Sequence, residues 1–179
     1  DKITKEIAEC LYTGMVHDTG VFQYSNTTPK TMEIGAKLIS YGFDFTKLIE
    51  ETFYQKTYDQ TLVLGHVLKG SILFMDGKCI AGQISKEEMQ GLGVTHQDLD
   101  GIVNQLRNVK GVHCAVFMYE TDTEEYKVSL RSDDAVDVAK VAAFFGGGGH
   151  MRAAGCGMKG AFQVCLNQLS EHIGKQLAD

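Results

Sequence analysis

The 179-residue sequence has no run of 18 or more apolar residues, which excludes a membrane-spanning helix. No basic stretch followed by an apolar one stands at its start, so no secretory signal is visible. Its five cysteines (Cys10, Cys79, Cys114, Cys156 and Cys165) are scattered, odd in number and never paired as C-x-x-C. Disulfide frameworks and structural zinc sites need closely spaced thiols, so buried free thiols in a reducing cytoplasm are expected instead. A basic stripe is missing too, and the formal net charge is −6. Proteins that track long nucleic acid gain affinity by releasing counterions along such a stripe. An anionic ligand is therefore expected to be small and held by a few placed groups. The chain opens on Asp1 rather than methionine, as a fragment or a processed chain does.

What is present, 44% hydrophobic and 22% charged residues, suffices for one ordinary core or for a small domain plus part of another. Ile3, Ile7, Cys10 and Leu11 follow helical spacing, and residues 13–29, polar and punctuated by glycine, read as a structured loop. Residues 31–41 return to a helical period, with Gly42 placed as a C-terminal cap. Short helices are expected over 46–54, capped by Thr46, and over 58–68, with a hinge near residues 55–57. After Gly70 the pattern changes. Residues 71–75 and 79–84 are β-type runs around Asp76-Gly77, a two-residue hairpin signal. Ser85 with Glu88, and Thr95 with Asp98, cap two helices, the second running through Leu99 to Leu106. Strands are expected over 112–119 and 126–131, a helix over 135–145, a brief strand over 153–157 and a last helix over 160–177. Strands interleaved with helices predict an α/β domain, and the two hairpin-like pairs predict a mixed sheet.

The strongest chemical signal is GGGGHMRAAG, residues 146–155. Four consecutive glycines are costly in backbone entropy unless the chain must turn through positive φ or approach a ligand closely. Amide N–H groups in such a loop can cradle phosphate or sugar oxygens, and His150 behind it can donate a hydrogen bond or a positive charge. The alternative is a linker beside a core histidine. Arg131 closes the strand KVSLRS, where alternation sets Ser129 and Arg131 opposite Val128 and Leu130. An arginine there suits bidentate phosphate recognition once the strand end lies beside the glycine loop. Asp18, in VHDTG beside His17, can ligate a hard divalent metal, although a lone loop aspartate more commonly caps a turn. Glu50, Glu51 and residues 122–125 read as solvated surface, and His66, His96, His113 and His172 as structural.

Three stretches, residues 11–31 (LYTGMVHDTGVFQYSNTTPKT), 128–132 (VSLRS) and 144–155 (FFGGGGHMRAAG), resemble the DHH phosphoesterases that carry a C-terminal DHH-associated domain. Within these, the chain is most similar to the RecJ-like oligoribonuclease and phosphoadenosine-phosphate phosphatase branch, and the resemblance covers essentially all of it. It implies a C-terminal α/β domain with a mixed sheet flanked by helices, preceded by a helical remnant of the DHH catalytic domain. The expected division is 1–55 for the remnant, 56–70 for a linker helix and 71–179 for the substrate-binding domain. Carried over by position, Asp18 is a ligand of one of two manganese ions. Arg131 and the loop Gly147, Gly148, Gly149 and His150 hold the substrate. The family's Asp-His-His triplet and early aspartate motifs are absent from this sequence.

No catalytic residue is therefore assigned to the chain. The resemblance implies a manganese-dependent phosphoesterase whose isolated substrate-binding part is inactive. Its cytoplasmic substrate is a short oligoribonucleotide, phosphoadenosine phosphate or a cyclic dinucleotide. The alternatives are a non-catalytic nucleotide- or RNA-binding module and a purely structural domain. No membrane partner is expected, and the oligomeric state, a homodimer included, stays open.

Overall fold

A computed structural model describes residues 2–177. The chain divides into two compact units, Asp1–Lys56 and Thr57–Asp179.

The first unit is helical. Helix α1 (Lys5–Thr19) starts at Thr4, whose hydroxyl accepts from the Ile7 amide, and buries Ala8, Tyr12, Val16 and Thr19 on one stripe. That stripe carries the helix through the segment expected to be loop, until Gly20 takes a left-handed conformation and ends it. The polar letters that read as loop, among them His17 and Asp18, belong to its exposed side. Helix α2 (Pro29–Ile39) has Pro29 in its first turn behind a Thr28–Thr31 capping box, and Ser40 rather than Gly42 stands at its C-cap. Helix α3 (Phe45–Ile49) is capped by Asp44, not Thr46, because the carboxylate accepts from the Lys47 amide at 3.0 Å. It continues as a π-helical turn, Glu50–Tyr54. Tyr12 sits at the centre of this unit, with its ring 5.4 Å from Phe43 and 6.1 Å from Phe22.

The second unit opens with α4 (Tyr58–Gly70), held by a Thr57–Gln60 capping box. Strands β1 (Ile72–Phe74) and β2 (Cys79–Ile84) form the expected hairpin, but through the four residues 75–78 rather than a two-residue turn, with Met75, Asp76 and Gly77 all at positive φ. Helix α5 (Lys86–Leu92) begins at the Ser85–Glu88 box. The Thr95–Asp98 box caps only a 3-10 turn, His96–Leu99, and α6 (Ile102–Arg107) starts afresh after Gly101 at φ 83°. One helix through both had been expected. The left-handed glycine breaks it and lets Leu99 and Ile102 both reach the core.

Strands β3 (Cys114–Asp122) and β4 (Glu125–Ser132) pair antiparallel, α7 (Val138–Phe144) follows, and then come β5 (Gly148–His150), β6 (Ala153–Lys159) and α8 (Phe162–Leu177). The sheet order is β1-β2-β3-β4-β6-β5. Only β2 and β3 run parallel, which requires a crossover, and α5 and α6 supply it. The mixed sheet flanked by helices is thus as the sequence predicts. A local difference is β5: the second half of the glycine run, Gly148 and Gly149, is not a free loop but part of the edge strand of the sheet.

The two faces of the sheet are covered unequally. Val116, Met118, Val128, Leu130, Ala154 and Cys156 bury one face beneath α7 and α8 along most of its width. On the other, Ile80, Ile84, Ala115 and Phe117 pack under α4 and α6 through Val63, Val67, Ile102 and Leu106. That second core stops at β3. On the same face of β4, β6 and β5, residues are half-buried or exposed, with α6 bordering β4. Within this unit, half of one sheet face is left open.

Candidate functional site

Strand register brings the predicted groups onto this open face. Arg131 of β4 lies directly opposite Ala153 of β6, and Ala153 directly opposite His150 of β5. Residues opposite one another in a sheet project from the same face. Arg131 and His150 therefore point the same way, two strand spacings apart, about 9.5 Å between backbones. Only the methyl of Ala153 stands between them. In the next row on this face, Ser129 is opposite Gly155 and Gly155 opposite Gly148, so the floor is nearly bare peptide. The result is a shallow trough with a guanidinium on one side and an imidazole on the other.

The glycines have different roles in building it. The amides of Gly146 and Gly147 donate back to the carbonyls of Ala143 and Ala142 at 3.1 and 2.9 Å. With Gly146 at φ 73°, these bonds close the C-terminus of α7, so neither amide is left to cradle an anion. A Cβ at Gly147 would stand 2.1 Å from the Gly155 carbonyl oxygen, and one at Gly149 would stand 2.4 Å from that of Ala153. These two residues let β5 approach β6. A Cβ at Gly148 would meet nothing within 4 Å. The His150 ring is exposed and makes no hydrogen bond among the described residues.

Arg131 is held more firmly. Its Nε donates to Oδ1 of Asn104 on α6 at 2.9 Å, and its Nη1 donates to the Leu130 carbonyl at 2.9 Å. These bonds orient the plane of the fork, which matters for bidentate recognition. Asn104 escapes sequence reading, since a helical asparagine among Val103 and Leu106 carries no motif. One turn on, Arg107 reaches Asp133 at 3.5 Å, and Asp133 also accepts from Nδ1 of His113 at 2.8 Å. Burial raises the Asp133 carboxyl, but the Ala135 amide, His113 and Arg107 together outweigh it and hold the acid below its ordinary range. The adjacent buried Ser132 donates its hydroxyl to the Val136 carbonyl at 2.6 Å, and its amide donates to the Arg152 carbonyl at 3.1 Å. These bonds tie the end of β4 to the turn that follows His150. Arg152 itself pairs with Asp134.

Asp18 belongs to the first unit, on the exposed side of the last turn of α1. Its Oδ2 accepts from Nδ2 of Asn26 at 3.0 Å, and the same amide donates to the Asp18 carbonyl at 3.1 Å. This clamps the turn that follows the helix. His17 contacts Thr52 at 3.3 Å and the ring of Phe53. Among the described residues no group of three or more His, Cys, Asp or Glu side chains could hold a metal ion. The donors around Asp18 therefore do not fit a manganese centre by themselves.

Comparison with known proteins places this architecture. Over 171 residues the chain is 32% identical to the bifunctional oligoribonuclease and PAP phosphatase NrnA of Thermus thermophilus, matching 95% of this chain and 49% of that protein. It is 30% identical to the Bacillus subtilis protein of the same name, over 86% of this chain and 48% of the relative. The crystal structure of an exopolyphosphatase-related protein from Bacteroides fragilis superposes with a TM-score of 0.90 at 31% identity, covering 98% of this chain and 52% of that one. The chain thus spans about half the length of the curated relatives it matches. Among the described residues no helix is long and apolar enough to cross a membrane. The model of the DHHA1 domain matches residues 76–179, more than half the chain and every strand from β2 onward, and the chain belongs to that family.

Proposed function

We propose that the second unit is the substrate-gripping part of a phosphoesterase acting on short oligoribonucleotides or phosphorylated nucleotides. The observation that carries this reading is the register row that sets Arg131, Ala153 and His150 side by side on the open sheet face. A guanidinium oriented by Asn104 suits two oxygens of one phosphate, and His150 can donate to a neighbouring oxygen. The peptide floor at Gly148 and Gly155 lets a base or ribose lie flat without side-chain interference. The activities named for the NrnA relatives, on oligoribonucleotides and PAP, agree with such a ligand. Manganese enters as a cofactor of the whole enzyme. Asp18 is the carboxylate that the family pattern assigns to it, and no hydrolytic step is ascribed to the residues described here.

A second reading, a nucleotide-binding module without chemistry, is favoured by the lack of a metal-ligand set among the described residues. Isothermal titration with adenosine 3′,5′-bisphosphate and with a diadenylate, with and without manganese, separates the two. Metal-enhanced binding supports the first reading, and metal-independent binding fits both. In either case Arg131→Ala is expected to weaken binding about 10- to 100-fold, as for a lost hydrogen bond to a charged group. His150→Ala is expected to do less, and Arg131→Lys to restore charge but not the fork. Unchanged affinity in both alanine variants rejects the grip altogether.

A further inference from the structure

The open face continues past the trough. Lys127 lies four residues before Arg131 on β4 and projects from the same face, about 13 Å away along the strand. It stands directly opposite Tyr119 of β3. Two clefts meet here, sharing Thr121 and Lys127. One, of about 510 Å³, runs from Lys127 over Tyr119 to Lys86, Gln90 and His96. The other, of about 540 Å³, runs from Lys127 over Gly155 and Gly157 to Lys159. Gly155 is also part of the trough floor, so the second cleft leads out of the Arg131–His150 site along β6.

The charges lining the two clefts are mostly spent on one another. Lys86 reaches Asp122 at 3.7 Å, and Lys159 pairs with Glu125. The Glu120 carboxylate accepts the amides of Lys86 and Glu124 at 2.9 and 3.2 Å. Lys127 is exposed and has no ion-pair partner among the described residues. The place therefore offers one uncommitted ammonium, a half-buried tyrosine ring beside it and a glycine-floored path to it. A phosphate with a stacking base is the chemistry this combination accommodates.

We infer that Lys127 and Tyr119 form a second nucleotide subsite, which holds the downstream part of a short single-stranded oligoribonucleotide whose first phosphate sits at Arg131. This rests on the function proposed above and deepens it, because it makes affinity depend on chain length. At about 3.4 Å per nucleotide in a stacked strand, ~13 Å corresponds to about four nucleotides, and to fewer in a splayed one. A stacked dinucleotide does not reach Lys127, and a stacked pentanucleotide does.

The test is fluorescence-anisotropy titration of the protein with end-labelled oligoadenylates of two and five nucleotides, over a series of salt concentrations. Lys127→Ala is expected to weaken the pentamer by about fivefold, the upper end for a solvent-exposed ion pair, and to leave the dimer unchanged. The salt slope for the pentamer should fall by about 0.7, one phosphate contact on a single strand, and Lys127→Arg should restore both. Lys140→Ala, at an exposed lysine on α7 across the sheet, controls for a general charge effect and should change neither. Equal losses for both lengths, or an unchanged pentamer, overturn the second subsite. If neither oligonucleotide binds the wild type, or if Arg131→Ala leaves dimer binding intact, the primary site falls as well.

Discussion

The two glycines at 147 and 148 are neighbours with opposite expected responses to the same substitution. At Gly147 a methyl group meets the Gly155 carbonyl oxygen at 2.1 Å and the backbone and side chain of Cys156 at 2.6–2.7 Å, so the obstruction is strand β6 itself. Strand β6 is fixed between β4 and β5 and cannot yield alone. To bring 2.1 Å to the ordinary contact of 3.4 Å or more, β5 must move out by more than 1 Å, which breaks its pairing with β6 and the hydrogen bond from the Gly147 amide to α7. Overpacking of this kind costs about 1–3 kcal/mol, and the alanine's smaller unfolded-state entropy returns only about 0.4–1 kcal/mol of it. Gly147→Ala should therefore lower the unfolding free energy measured in urea by a net ~1–2 kcal/mol, about 2–4 °C in Tm for each kcal/mol. At Gly148 nothing lies within 4 Å and φ is ordinary, so Gly148→Ala should leave stability unchanged or raise it by up to ~1 kcal/mol. Its methyl projects onto the open floor opposite Gly155, so this folded variant should nevertheless bind the nucleotide more weakly. Circular dichroism in urea and titration calorimetry on the same two variants read both effects. Wild-type stability in Gly147→Ala, or a loss of similar size in Gly148→Ala, would refute the account of how β5 is seated.

Two further outcomes follow from buried groups. Of the five thiols only Cys10 is exposed, and burial pushes Cys79 and Cys156 up to about 11 and Cys114 higher still. An aromatic disulfide reagent at pH 8 should titrate one thiol in the native protein and the remaining four only after denaturation. Asp133 is held below the ordinary aspartate range in the folded chain, so it contributes stability above that range and loses it as pH falls through the folded value. Asp133→Asn should thus be less stable than wild type near neutral pH, and the difference should shrink as pH falls below the ordinary aspartate value of about 4. Parallel unfolding curves across that window would argue against the His113–Asp133–Arg107 cluster as drawn.

Particular elements show where local information sufficed. The Asp76-Gly77 turn and the Ser85–Glu88 box were legible because each is closed by groups at most three residues apart. The extent of α1 was not, since its polar exposed side resembles a loop until the buried stripe Tyr12, Val16 and Thr19 is seen. The 3-10 turn before α6 hid behind a good capping box, because the glycine that separates the two helices acts only through its left-handed φ. For the candidate site, the sequence named Arg131, His150 and the glycines but supplied no reason for them to meet. Asn104, Asp133 and Lys127 lie outside every motif, and what they do depends on neighbours remote in sequence.

The sequence by itself determined the alternation of strand and helix, the mixed character of the sheet and the family to which the domain belongs, since these are written in local periodicity, capping and motif order. Tertiary structure alone decided that β4, β6 and β5 align Arg131 with His150 on a face that the helices of the second unit leave largely uncovered, and that two of the four glycine amides close α7 instead of facing a ligand. The physical reason is that the β4–β6 register, which brings Arg131 beside the hairpin carrying His150, joins segments about 20 residues apart in the chain, where no nearest-neighbour preference reaches.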